Sequence, residues 1–154
     1  MTLKLVERPA LTVIGLQIRT TPMSPDIPAL WPHFVARIPE IAGRTEARVT
    51  YGVMHDVAAG MASFDYLAGV AVSAAQDLPV GMVSLALPAG PYAAFSFPLS
   101  GLAAGFASIF ERLLPASGHE RVPGQPYFER YGEAFCPNEP DSPVEIYLPV
   151  RPRA

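Results

Sequence analysis

Residue types and spacing offer chemistry most clearly at Tyr127-Phe128-Glu129-Arg130-Tyr131. Read as a strand, this stretch alternates, with Tyr127, Glu129 and Tyr131 on one face and Phe128 and Arg130 on the other. A carboxylate between two phenols can pair with a cationic ligand that ring faces also hold. It can also work as a general acid or base, because desolvation raises a carboxyl pKa toward neutrality. The plainer alternative is an ion pair between Glu129 and Arg130 or Arg48 on an exposed sheet face, and alternation alone favours it. A second alternation runs from Val144 to Val150, with Val144, Ile146, Leu148 and Val150 facing one way and Glu145 and Tyr147 the other. Antiparallel pairing of the two strands is expected to put Glu129 and Tyr147 on a shared aromatic surface.

The other candidates are weaker. Trp31 could line a cleft, although an aromatic at helical spacing is more often core. Tyr51, Tyr66 and Tyr92 each read alone as half-buried strand residues with a wetted hydroxyl. His33, His55 and His119 are scattered, and no Cys/His or carboxylate spacing suits a metal. Gly101 to Gly105 is not followed by the Gly-Lys-Ser/Thr of a phosphate loop. Cys136 reads as a spectator thiol. No metal and no cofactor is expected.

Eighteen prolines break the chain into short elements that would have to position these groups. Leu11 to Ile18 is rich in β-branched residues and reads as a strand. Asp26 is the expected N-cap of a helix whose apolar positions are Leu30, Phe34, Ile38 and Ile41, and Pro39 should end or bend it. Arg48 to His55 and Phe64 to Val72 read as two strands, with Gly69 marking a bulge or a close approach. The pattern then restarts. Val83 to Leu87 and Tyr92 to Phe97 are strands; Ser100 would cap a helix carrying Leu102, Phe106, Ile109, Phe110 and Leu113; Tyr127 to Glu133 and Val144 to Val150 are the last strands. This is strand–helix–strand–strand written twice, and Pro9-Ala10 has its match in Pro88-Ala89, 79 positions later. The expected fold is α+β: tandem repeats, about 1–80 and 81–154, in one domain spanning 1–154. They would form a pseudo-twofold antiparallel sheet with a helix on each half and a central ligand cleft.

Composition narrows the function classes. The 154 residues are 50% hydrophobic and 16% charged, which excludes a disordered chain. The net charge is −3, Lys4 is the only lysine, and no basic cluster suggests a nucleic-acid footprint. The single cysteine and an N-terminus without a long apolar run point to a cytoplasmic protein with no signal peptide and no membrane segment.

Four segments together carry a resemblance to a known family: Ile27-Pro28-Ala29-Leu30-Trp31-Pro32-His33-Phe34; Tyr51-Gly52-Val53 with Phe64-Asp65-Tyr66-Leu67-Ala68-Gly69-Val70; Pro88-Ala89-Gly90-Pro91-Tyr92-Ala93-Ala94-Phe95; and Leu114-Pro115-Ala116-Ser117-Gly118 followed by Phe128-Glu129-Arg130-Tyr131 and Glu145-Ile146-Tyr147-Leu148-Pro149-Val150. In that order they resemble the GyrI-like small-molecule-binding domains, which include effector-binding domains of AraC-type and MerR-type multidrug regulators. The resemblance implies a ligand cleft between the halves, with Glu129 as its charged anchor, and it reverses the preference for a surface ion pair. It implies an aromatic wall at Tyr51, Tyr92 and Tyr147, with Trp31 and Tyr66 as further ligand-binding candidates. The expected function is binding of hydrophobic cationic or electrophilic small molecules. One alternative is hydrolysis of strained cyclopropane-containing toxins, with Glu129 activating water and the Tyr147 hydroxyl orienting the reaction. Another is inhibition by docking on a gyrase-like partner. No helix-turn-helix segment is present, so no direct nucleic-acid contact is expected, and a protein partner stays open.

Overall fold

Among the described residues, alternating apolar residues between prolines produce nine strands, and two apolar-faced segments produce α-helices. The computed structural model describes residues 4–74 and 76–154. Its strands are β1 (Lys4–Arg8), β2 (Leu11–Thr20), β3 (Thr50–His55), β4 (Phe64–Val72), β5 (Val83–Leu87), β6 (Gly90–Pro98), β7 (His119–Arg121), β8 (Tyr127–Tyr131) and β9 (Pro143–Pro152). The helices are α1 (Asp26–Arg37) and α2 (Leu102–Ser108), the latter running on into a π-helical turn over Ile109–Leu113.

Both expected helix caps need correction. Asp26 is the first residue of α1, not its cap: Pro25 already has helical angles, and the Asp26 N–H donates to Ser24 Oγ at 3.1 Å. Ser100 lies inside a 3-10 turn, Leu99–Gly101, that leads into α2 without a side-chain cap. Beyond Arg37 the chain tightens to a 3-10 turn containing Pro39, as a proline there requires.

The sheet order is β1-β6-β9-β8-β3-β4-β2-β5, with every pairing antiparallel and β7 added beside β9. This order is a palindrome about the β8–β3 junction: β3 answers to β8, β4 to β9, β2 to β6 and β5 to β1. The pseudo-twofold α+β arrangement is therefore present, with a feature the sequence did not announce. Each half gives up its leading strand: β1 pairs with β6, and β5 pairs with β2.

That exchange forces the sheet to curl. In a flat sheet β1 and β2 would stand six strand spacings apart, about 29 Å. Only Pro9 and Ala10 join them, and three Cα steps reach at most about 11 Å. Pro88-Ala89 imposes the same limit between β5 and β6. The sheet's ends must therefore approach each other. One face closes on itself, packing Val6 of β1 and Leu87 of β5 with Tyr51, Tyr92 and Phe128. The other face carries both helices, with Phe34 of α1 and Ile109 packed over Tyr66, Ala68, Ile146 and Leu148. Gly69 stands opposite Gly15, and a Cβ on it would come within 2.5 Å of the Val13 side chain, so it marks the expected close approach.

Among the described residues no helix is long and apolar enough to cross a membrane. No group of three metal-ligating side chains occurs among them either.

Candidate functional site

The helices stand on the same sheet face, and the central strands β3 and β8 form the floor between them. A cavity of about 690 Å³ opens there. Ile27 and Trp31 of α1 line one wall, Leu102 and Phe106 of α2 the other, and Glu129 and Tyr131 of β8 the floor. Strand alternation puts Glu129 on this face, and the extended backbone of β8 fixes its direction.

Glu129 is 6% exposed. The hydroxyls of Tyr66 and Tyr131 both donate to its Oε1, each at 2.8 Å. Tyr66 in turn accepts the Trp31 indole N–H at 3.2 Å, so one chain of hydrogen bonds links α1, β4 and β8. Oε2 takes no hydrogen bond from the described residues. Burial pushes the Glu129 carboxyl up to about 6, against the downward pull of the two phenol hydrogen bonds. Burial, and then the nearby Glu129 charge, hold the Tyr66 and Tyr131 phenols well above their ordinary range, so both remain donors.

No basic side chain balances this carboxylate among the described residues. Arg130, next in sequence, points through the sheet and binds Glu46 and Glu145, each at 2.9 Å. The sheet therefore separates an anchored ion-pair network on one side from a lone buried acid on the other. Gly52, directly opposite Glu129 in the β3–β8 register, leaves room for that acid. A Cβ at Gly52 would lie 2.5 Å from Glu129 Oε1 and closer still to the Tyr66 hydroxyl. Trp31 completes the wall, its ring edge-on to Tyr131 with centroids 5.3 Å apart.

Residues 1–151 match the model of the GyrI-like small molecule binding domain. The chain belongs to that family. The transcriptional regulator BrlR of Pseudomonas aeruginosa is 35% identical over 150 residues, covering 96% of this chain and 54% of that protein. The chain thus spans about half the length of this relative. SAV2435, solved bound to tetraphenylphosphonium, shares the fold with a TM-score of 0.73 at 15% identity, over 98% of this chain and 94% of that one. The EcmrR C-terminal domain does so with a TM-score of 0.71 at 16% identity, over 99% and 98% respectively.

The geometry of this GyrI-like domain sorts the expected site residues. Glu129 and Trp31 line the cavity. Tyr66 is 1% exposed and lies behind Glu129 as its hydrogen-bond donor, without lining the cavity itself. Tyr51, Tyr92 and Tyr147 need correction, because all three pack on the opposite sheet face. For Tyr147 the cause is register: Glu129 stands opposite Ile146, while Tyr147 stands opposite Phe128 and stacks on it at 5.2 Å. The Tyr147 hydroxyl is spent on Glu145, that of Tyr51 on Glu46 and that of Tyr92 on the Pro88 carbonyl. Tyr131 and the α2 pair Leu102 and Phe106 take the places that had been given to those tyrosines. Alternation had already put Tyr131 beside Glu129; nothing in the sequence separated the cleft-facing side of α2 from its core side.

Proposed function

We propose that this GyrI-like domain binds bulky hydrophobic organic cations, with Glu129 as the counter-charge and Trp31, Tyr131 and Phe106 as the aromatic enclosure. One observation carries the reading: a buried carboxylate, supplied with hydroxyl donors on one oxygen but with no cationic partner among the described residues, borders a largely apolar cavity. Such an acid favours a ligand that brings its own positive charge along with apolar surface. Tetraphenylphosphonium, the compound bound to SAV2435, has that chemistry.

Calorimetry with tetraphenylphosphonium tests this directly. Glu129→Gln keeps the shape and removes the charge, and should weaken binding roughly 10- to 100-fold, the scale of a charge-assisted contact. Neutral aromatic ligands should bind the variant as well as the parent. Equal cation affinity in parent and variant would refute the anchor. The carboxyl, pushed up to about 6 by burial, also suits a general base, and a hydrolytic role has a separate readout in the same variant. Mass spectrometry of electrophilic cyclopropanes incubated with the protein would then show a water adduct formed with turnover, lost in Glu129→Gln.

A further inference from the structure

Thr21 to Ser24, just ahead of α1, form a tight turn closed by the Ser24 N–H on the Thr21 carbonyl at 3.2 Å. Pro22 is second in the turn and Met23 third, and Met23 has a φ of 61°. A third position with positive φ is the type II pattern, which glycine or asparagine usually supplies. A methionine there is strained by its own Cβ. Asp56 and Met61 also have positive φ, but each has an evident reason. Aspartate tolerates the conformation, and Met61 packs against the main apolar core. Met23 has neither excuse. It is 65% exposed and belongs to neither apolar cluster, yet it lines the cavity that holds Glu129. A side chain that is both largely exposed and cavity-lining stands at the mouth.

We propose that Met23 is the retaining side chain of the cleft: a strained turn holds it at the mouth, where it sets how long a large aromatic ligand stays bound. The backbone at Met23 is unfavourable whether or not a ligand is present, whereas the cost of exposing its apolar side chain is offset when a ligand covers the thioether. An unbranched, polarizable methionine suits that task, because it adapts to differently shaped aromatic surfaces. Val35, 52% exposed on α1, and Pro137 of the β8–β9 connection line the same cavity and give the mouth further apolar edges. A ligand too small to reach the mouth gains nothing from Met23. This proposal rests on the cleft being the ligand site, but not on the ligand's charge.

Stopped-flow dissociation and thermal melting of the full chain test it, with tetraphenylphosphonium, tetramethylammonium and the neutral dye Nile red as probes. Met23→Ala and Met23→Gly should both speed release of the two large ligands roughly tenfold. Met23→Leu should restore slow release. Tetramethylammonium should bind all the variants alike. Without ligand, Met23→Gly should melt about 2–4 °C above Met23→Ala, since only glycine relaxes at positive φ. Unchanged release of Nile red and tetraphenylphosphonium would overturn the retaining role, and equal melting of the Gly and Ala variants would overturn the strain. Should tetraphenylphosphonium fail to bind the parent while Nile red binds and leaves faster from the variants, the cation reading falls and the role of Met23 stands.

Discussion

Glu129 weakens the fold in the ionised state that would attract a cation. Its carboxyl titrates at about 6 in the folded protein, against an ordinary value of 4.5. Between those values the folded chain holds a proton that the unfolded chain has released. Stability therefore falls as pH rises through that window, and above 6 the anion costs the folded state on the order of 2 kcal/mol. Differential scanning calorimetry should find Glu129→Gln more thermostable than the parent at pH 7.5 and much closer to it at pH 4.5. A cation reverses the logic, because it favours the anion. Its affinity should be flat above pH 6 and drop up to tenfold per pH unit below it, approaching the residual affinity of Glu129→Gln. Affinity that is level from pH 5 to pH 8 would mean that the ligand never meets the charge.

At the scale of the element, β3 and β8 act together. Gly52→Ala would push a methyl group into the space shared by the Tyr66 hydroxyl and Glu129 Oε1. Overpacking of this kind costs about 1–3 kcal/mol, and here it also parts a hydrogen bond at the cavity floor. Urea titration should show the stability loss, and cation binding should fall with it; a variant that binds as the parent does would show the floor to be more pliable than its contacts imply. Much of this element was legible in advance. The period of two sorted Tyr127, Glu129 and Tyr131 from Phe128 and Arg130 correctly, because side-chain direction in a strand is local information. Register is not local. Whether Glu129 meets Ile146 or Tyr147 turns on a shift of one residue, which the Val144–Val150 pattern cannot specify alone. The expected shared surface of Glu129 and Tyr147 fails for that reason, whereas Tyr51 and Tyr92 were assigned to the cleft by the family resemblance and not by any register. The helix α2 failed differently: its apolar residues serve both core and cleft, and burial pattern makes no distinction between a protein neighbour and a ligand.

For the whole molecule, the repeat was readable from the order of elements and from the paired Pro-Ala steps, while the strand exchange was not. A crossover shows up in the sequence only as a short link, and its partner strand lies in the other half. The exchange has a measurable outcome. Residues 1–80 alone would leave β1 without β6, and residues 81–154 would leave β5 without β2. Neither fragment should fold as a monomer by circular dichroism and gel filtration, whereas mixing the two should restore a cooperative melt. A monomeric, cooperatively melting fragment 1–80 would show that the exchanged strands are dispensable.

The palindromic strand order carries one more implication, about symmetry breaking. The axis relating the halves passes between β3 and β8, through the cavity floor. Two separate, identical halves meeting on such an axis must present every group in duplicate, so an acid near the axis would face its own copy and the two charges would repel. Joining the halves in one chain lifts that degeneracy. One side of the axis can then keep a carboxylate at Glu129 while the other keeps an empty place at Gly52. A guest in a cavity of nearly equivalent sides thereby meets a single pole, and of two otherwise equal poses it is given one.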